Sequence, residues 1–254
     1  MIPFLAKYYK KEDGIMRIAL TSKEVSSNNI GKNIETIIAT MSEAKELGAE
    51  IVFFGEAFLQ SPDAIKGDIE FDKRMAVSVY SEPINRICRE SRKLNIDVML
   101  GYYEKDRERL SSSFIIIERG EVIYDYKRLT NGWKKNQKLD KHYYDGQVIE
   151  VIEYRHKRCM IALSDDLVSL PALYNRNEEI IFWPSYIEGS IEDTKRKFNN
   201  DYVELSANFN LDILIVNTIS SGKSYGGAYR YKNGDIIDYI EPGKDGIVIA
   251  NVEY

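Results

Sequence analysis

The feature that most constrains this chain is a short, unbroken apolar run, Ile51-Val52-Phe53-Phe54, set directly behind an amphipathic helix pattern. Four consecutive apolar residues suit a strand covered on both faces, which is what a sheet inside a layered α/β fold presents. The helix before it is marked by Ile34, Ile37, Ile38, Met41, Ala44 and Leu47, spaced at the 3.6-residue period. Asn28 or Asn29 can cap its start and Gly48 its end. Residues 16–21, Met-Arg-Ile-Ala-Leu-Thr, read as a strand ahead of it, so residues 16–54 spell a β-α-β unit. The pattern returns once. Ser81 can cap a helix with Pro83 near its start and Ile84, Ile87, Cys88, Ser91 and Leu94 on one face, and residues 97–101 follow as a strand.

Beyond residue 101 the character changes. Residues 113–117 and 122–126 flank Arg119-Gly120, which signals a hairpin. Residues 129–146 are polar and read as a long loop; the solvated face is the plain reading of its Lys134, Lys135, Lys138 and Lys141, and an acidic partner the sharper one. Strands are expected at 159–163, 180–183 and 213–216, with a helix over 194–208 between the last two. Short strands near 228–231, 236–240 and 247–252 close the chain. Strands alternating with helices and hairpins predict one α/β sandwich over residues 15–254, behind an N-terminal extension of residues 1–14.

Composition narrows the function. The 254 residues carry 35 Lys+Arg against 40 Asp+Glu, a net charge of −5, which argues against a dedicated nucleic-acid binder. Two cysteines, Cys88 and Cys159, and two histidines, His142 and His156, supply neither a disulfide framework nor a zinc motif, so no metal is expected. No stretch approaches the ~20 apolar residues of a membrane span. Lys7, Lys10, Lys11 and Glu12 interrupt the N-terminus before any apolar run of signal-peptide length. The expectation is a cytoplasmic protein with no membrane partner.

Three polar residues follow apolar strands: Glu56 after 51–55, Lys127 after 122–126, and Ser164 after 159–163. Open α/β folds place ligands at such strand ends. Taken singly, a Glu there is a cap or ion-pair partner, a Lys is solvated, and a Ser caps a helix. Taken with their contexts, they form a series. Phe53-Phe54-Gly55-Glu56-Ala57-Phe58-Leu59 comes first. Ser112-Ser113, Gly120 and Tyr124-Asp125-Tyr126-Lys127-Arg128 come second. Met160-Ile161-Ala162-Leu163-Ser164-Asp165-Asp166 with Leu170-Pro171 comes third, and Ile181-Phe182-Trp183-Pro184-Ser185, Asn217 and Gly226-Gly227 follow.

In this order and spacing, the chain resembles the nitrilase, or carbon–nitrogen hydrolase, superfamily over about residues 15–253. The resemblance implies a four-layer α-β-β-α sandwich, assembly into a homodimer or larger homo-oligomer, and no cofactor. It also implies a Glu-Lys-Cys site acting on a small linear amide, carbamoyl or nitrile substrate, which maps to Glu56, Lys127 and Ser164. Glu56 would be the general base, and the Lys127 ammonium with the backbone N–H of Asp165 would hold the oxyanion. The nucleophile would form an acyl-enzyme. Trp183 and Ser185 belong to the implied pocket, and Trp133, Tyr143, Tyr144 and Tyr186 are further wall candidates.

The chain departs from that pattern at the nucleophile. Ser164 stands where the family has Cys, and a hydroxyl is a far weaker acid than a thiol. Cys159, five residues earlier, is about 16 Å away along a strand and on its other face. Ala172 replaces a usual Glu after Pro171, and residues 172–179 are about one helical turn short. Asp140 and Asp145 are the acidic candidates between Lys127 and Ser164. Ser164 is either native or a Cys→Ser change of the kind made to trap a substrate, and two readings follow: a hydrolase impaired or trapped by Ser164, or a catalytically silent homologue that binds a small molecule or scaffolds a partner. Ser220-x-x-Lys223 also matches an acyl-enzyme motif, as does Ser42-x-x-Lys45 inside a helix, which shows how little the pattern discriminates.

Overall fold

The structure is a computed structural model that describes residues 14–134 and 141–253. The expected extension therefore lies outside the described residues apart from Gly14, as do Lys135, Lys138 and Asp140.

In chain order, β1 (Ile15–Ser22) leads to α1 (Ile30–Glu46), whose N-cap is Asn29, its side chain accepting from the Lys32 N–H. Then come β2 (Ile51–Phe53), a short α2 (Ile69–Met75), α3 (Glu82–Leu94), β3 (Asp97–Asp106), β4 (Arg109–Glu118) and β5 (Glu121–Lys127). Ser81 does occupy the N-cap position of α3, but its hydroxyl makes no cap hydrogen bond. The β4–β5 hairpin turns on Arg119 and Gly120, both at positive φ, the geometry that matches strand twist. β6 (Ile152–Tyr154), β7 (Lys157–Ile161), α4 (Asp166–Ser169) and β8 (Ile180–Ser185) follow. The helix expected over 194–208 starts earlier and is divided: α5 (Ile191–Arg196), a π-helical turn (Lys197–Asp201) and α6 (Tyr202–Ser206). β9 (Asp212–Asn217), the small ribbon β10 (Ile219–Ser220) and β11 (Ser224–Tyr225), β12 (Ala228–Lys232), β13 (Asp235–Ile240) and β14 (Gly246–Glu253) complete the fold. α2, β6 and the ribbon carry too few periodic apolar residues to be legible in sequence.

Two six-stranded sheets result, ordered β14-β1-β2-β3-β4-β5 and β13-β12-β9-β8-β7-β6. Their inner faces meet through Met16, Ile18, Phe53, Phe114 and Tyr126 from one sheet and Ile161, Phe182, Leu214 and Val216 from the other. The outer face of the first sheet packs on α1 and α3 through Ile34, Ile37, Met41, Ile84 and Ile87. The outer face of the second is covered by Phe198, Tyr202 and neighbouring side chains. This is the α-β-β-α sandwich. No helix among the described residues is long and apolar enough to cross a membrane.

The short segment after Ser164 is visible as a single turn, Asp166–Ser169, followed by a 3-10 turn, Pro171–Leu173. The outer layer is thin there and leaves Val168 half exposed.

Candidate active site

β2, β5, β7 and β8 all end at one edge of the sandwich, where the Glu56 N–H reaches the Ser185 carbonyl of the other sheet at 3.4 Å. A Cβ at Gly55 would stand 2.5 Å from Thr218 Oγ1 and 3.0 Å from the Ser185 carbonyl oxygen. A Cβ at Gly101 would stand 2.4 Å from the Gly55 carbonyl oxygen and 2.6 Å from the Ala57 nitrogen. Both positions must be glycine because the turn carrying Glu56 is wedged between β3 and the ends of β8 and β9. That wedge points the Glu56 carboxylate into a cavity of about 240 Å³, lined among others by Tyr103, Arg128, Trp133, Ser164, Asp165 and Tyr186.

Ser164 sits on a strained turn. Its φ is +49°, a left-handed conformation that costs an L-residue roughly 1–2 kcal/mol. Its surroundings hold it there. The Ser164 N–H donates to the Pro184 carbonyl at 2.9 Å, and the Trp183 indole N–H donates to the Ser164 carbonyl at 2.6 Å. Buried Asp166 accepts from the Leu163 N–H at 3.3 Å, the Thr130 N–H at 2.8 Å and the Tyr126 hydroxyl at 2.8 Å. It thus ties the turn to the loop after β5. Strain maintained in this way is characteristic of functional positions.

The Glu56 carboxylate is 3% exposed and surrounded by donors. Oε1 accepts from Ser112 Oγ at 2.7 Å and from Arg128 Nη1 at 2.9 Å. Oε2 accepts from Arg128 Nη1 at 3.1 Å and from the Ser164 hydroxyl. Ser164 Oγ in turn accepts from the Tyr186 N–H at 3.0 Å. Arg128 spends its remaining edges on Thr130 Oγ1 (from Nε, 2.9 Å) and Asp165 Oδ2 (from Nη2, 2.7 Å). Burial opposes the Arg128 charge, but Glu56 and Asp165 outweigh it and raise its pKa further.

Lys127 is not brought to this point. Its ammonium lies 2.8 Å from Glu104 Oε2 and 2.8 Å from Asp125 Oδ2, half-buried on the outer face of the first sheet. The physical reason is the two-residue period of a strand. Tyr126 is in the inter-sheet core and the ladder continues through the Arg128 N–H to the Ser112 carbonyl, so Arg128 faces inward and Lys127 outward. Lys127 matches the expected ammonium in charge type, but its strand parity is that of Asp125, on the outer face. The alternation that identifies Arg128 was available in the same residues.

The other expected residues divide. Asp165 and Ser185 line the cavity, as do Trp133 and Tyr186. Trp183 is not a wall: its ring is buried in the outer layer against Tyr202 and reaches the site only through its bond to the Ser164 carbonyl. Tyr143 is buried and donates to Asp72 Oδ2 at 2.6 Å, and Tyr144 lines a different cavity. Asp145 accepts from Trp133 Nε1 at 2.9 Å and pairs with buried Lys134, so Lys134 is no part of a solvated lysine face. Cys159 is buried between the sheets with its thiol pKa pushed up by burial, and burial raises that of Cys88 as well. Lys223 pairs with Asp63, whose carboxylate also accepts from Ser220, so that motif makes no Ser–Lys nucleophile pair. Ser112, Thr130, Asp166 and the Tyr186 N–H were given no site role by the sequence. Among the described residues no group of three His, Cys, Asp or Glu side chains is placed to hold a metal ion.

No family model and no curated protein matches the chain. Solved structures do. A glutamine-dependent NAD+ synthetase from Acinetobacter baumannii superposes with a TM-score of 0.78 at 16% identity, over 94% of this chain and 46% of its own. This chain thus spans less than half the length of that synthetase. An amidase from Nesterenkonia sp. gives 0.75 at 16% identity, over 94% of this chain and 90% of its own. A cysteine-to-serine mutant of the Nesterenkonia AN1 amidase, of the nitrilase superfamily, gives 0.75 at 15% identity, over 93% of this chain and 91% of its own. At this identity the likeness is one of fold: the chain has the fold of the nitrilase-superfamily amidases.

Proposed function

We propose that the chain is a carbon–nitrogen hydrolase of the amidase class, taking a small linear amide, carbamoyl or nitrile compound, with Ser164 at the nucleophile position and turnover slowed by it. The observation that carries this reading is the strained Ser164 turn hydrogen-bonded to a buried glutamate. In the forward step Ser164 Oγ attacks the acyl carbon while its proton passes to Glu56 Oε2. From an amide or carbamoyl compound the amine leaves with that proton, and Glu56 then activates a water that cleaves the ester; a nitrile instead takes the proton on nitrogen as an imidate and releases ammonia only when a first water adds, a second water then cleaving the ester. Arg128 supplies the fixed positive charge beside the developing oxyanion, in place of the expected lysine. A Glu-to-Gln mutant of the Nesterenkonia sp. AN1 amidase carries acrylamide added at its active-site cysteine; at the position we assign to the nucleophile this chain has Ser164.

One observation favours the second reading, a silent small-molecule binder. Both oxygens of Glu56 already accept from Ser112, Arg128 and Ser164, a closed network that can serve to hold the cavity wall in place with no chemistry at all. Ser164→Cys decides between them. The new thiol is expected to react with iodoacetamide far faster than Cys88 or Cys159, because Arg128 favours its thiolate. Ammonia release from small amides is expected at least 100-fold above the parent, about 2.7 kcal/mol of barrier. Fast labelling without turnover selects the binder. Labelling no faster than at the two native cysteines removes Ser164 from any nucleophile role. Assembly into a dimer or larger oligomer is part of the proposal, and sedimentation checks it.

A further inference from the structure

The hydrogen bonds of Arg128 carry a consequence for what the cavity holds. Its guanidinium is 4% exposed, yet the carboxylate on its outer edge, Asp165, is 64% exposed. A buried cation on the cavity wall is therefore closed by an exposed, removable anion. Nη2 gives one N–H to Asp165 and has a second N–H of fixed direction, and a guanidinium edge matches a carboxylate in a way an ammonium does not. Gly132 packs directly on this pair: a Cβ there would stand 2.8 Å from Asp165 Oδ2 and 2.9 Å from Arg128 Nη2, so no larger side chain fits without displacing one of them. A second cation, Lys197, lines the same cavity from the π-helical turn and makes no ion pair with a described residue. π-turns of this kind recur at functional sites.

We propose that the cavity selects a short-chain carboxylate, and that Asp165 is a built-in competitor which the ligand displaces from Arg128. The inference rests on the reading of this cavity as a small acyl pocket and adds the charge of the occupant. The charges fit. The lining carries Glu56, Asp165 and Glu188 against Arg128 and Lys197, an excess of one negative charge, so an added anion would be opposed if all three carboxylates stayed. With Asp165 turned into solvent, the site pairs Glu56 with Arg128 and leaves the ligand carboxylate between Arg128 and Lys197. Moving Asp165 costs little desolvation because it is already mostly in water. The volume of about 240 Å³ suits a small molecule.

Propionate and propionamide have the same shape and differ in charge, so calorimetric titration of the pair on the whole chain is the test. Propionate is expected to bind more tightly. Asp165→Asn is expected to tighten propionate about tenfold, the scale of one charge-assisted hydrogen bond freed from competition, and to leave propionamide unchanged. Lys197→Met is expected to weaken propionate alone. Propionamide binding as well as propionate, or Asp165→Asn leaving propionate unaltered, overturns the carboxylate assignment while the acyl pocket stands. Failure of both ligands on the parent chain, with slow labelling of Ser164→Cys, overturns the pocket itself.

Discussion

Lys127 and Arg128 are consecutive cations at the end of one strand, and each is held by two carboxylates. Arg128 faces between the sheets, 4% exposed, with Glu56 and Asp165. Lys127 faces the outer layer, 30% exposed, with Glu104 and Asp125. Around Arg128 every acceptor on Glu56 has a donor, and the pair is joined to a strained turn and a cavity. Around Lys127 the cluster is less complete: Asp125 Oδ1 and the Tyr102 hydroxyl are buried with no hydrogen-bond partner within 3.5 Å among the described residues. Burial and the neighbouring Glu104 charge push the Asp125 carboxyl up to about 6. A buried network satisfied throughout is rigid, whereas one short of donors adjusts by taking up a proton. The difference sets Arg128 in the network that lines the cavity and Lys127 in a cluster that can titrate.

The largest expected effect is at Arg128. Arg128→Met leaves Glu56 buried without its cation, and a loss of about 3–5 kcal/mol is expected, the range for breaking a buried pair from one side. Denaturant unfolding measures it. A loss below about 1 kcal/mol, the scale of surface pairs, would erase the contrast with Lys127.

Lys127→Met comes next. It leaves Glu104 and Asp125 facing each other, at a cost of about 1–2 kcal/mol at pH 8, discounted because the ammonium is partly in water. That cost is expected to shrink toward pH 5.5, because Asp125 can then relieve the repulsion by protonation. A cost at Lys127 that does not change with pH would mean that Asp125 is not the group that yields.

These two residues also mark how far the sequence could be read. The layers were legible because β1, β2 and β3 are apolar runs separated by periodic helices, and period and run length are properties of the chain alone. Glu56 and Ser164 were legible because each ends such a run and the backbone there has one direction to go. Lys127 was chosen over Arg128 on charge type, although the inward-facing Tyr126 between the two strand faces fixes the parity. Trp183 could not be placed from sequence. Its ring serves the outer layer and its N–H serves the site, and only the spatial meeting of β8 with the Ser164 turn makes it a holder of that turn. Asp166 was invisible for a similar reason: apart from the neighbouring Leu163 N–H, its donors come from Tyr126, Leu129 and Thr130, some 36 to 40 residues away.

The smallest expected effect isolates Asp125. Its pKa in the fold, about 6, lies above the ordinary 3.8, so the fold prefers the neutral carboxyl. Its contribution to stability is therefore fully present below pH 3.8, fades as pH rises through 6, and is absent above it. Between pH 7.5 and pH 5 this single group should add about 1 kcal/mol to the unfolding free energy as the pH falls. Other carboxylates oppose the trend. Glu82, Glu108 and Glu179 are held below their usual range, chiefly by hydrogen bonds to Arg89, Lys73 and Lys157 respectively, and acid costs the fold those interactions. The difference between the parent and Asp125→Asn removes that background. Asn keeps the shape and cannot titrate, so the difference curve should bend near pH 6 and stay flat above pH 7. A flat difference throughout would show that Lys127 keeps Asp125 ionised, and the two cation sites would then differ in burial alone.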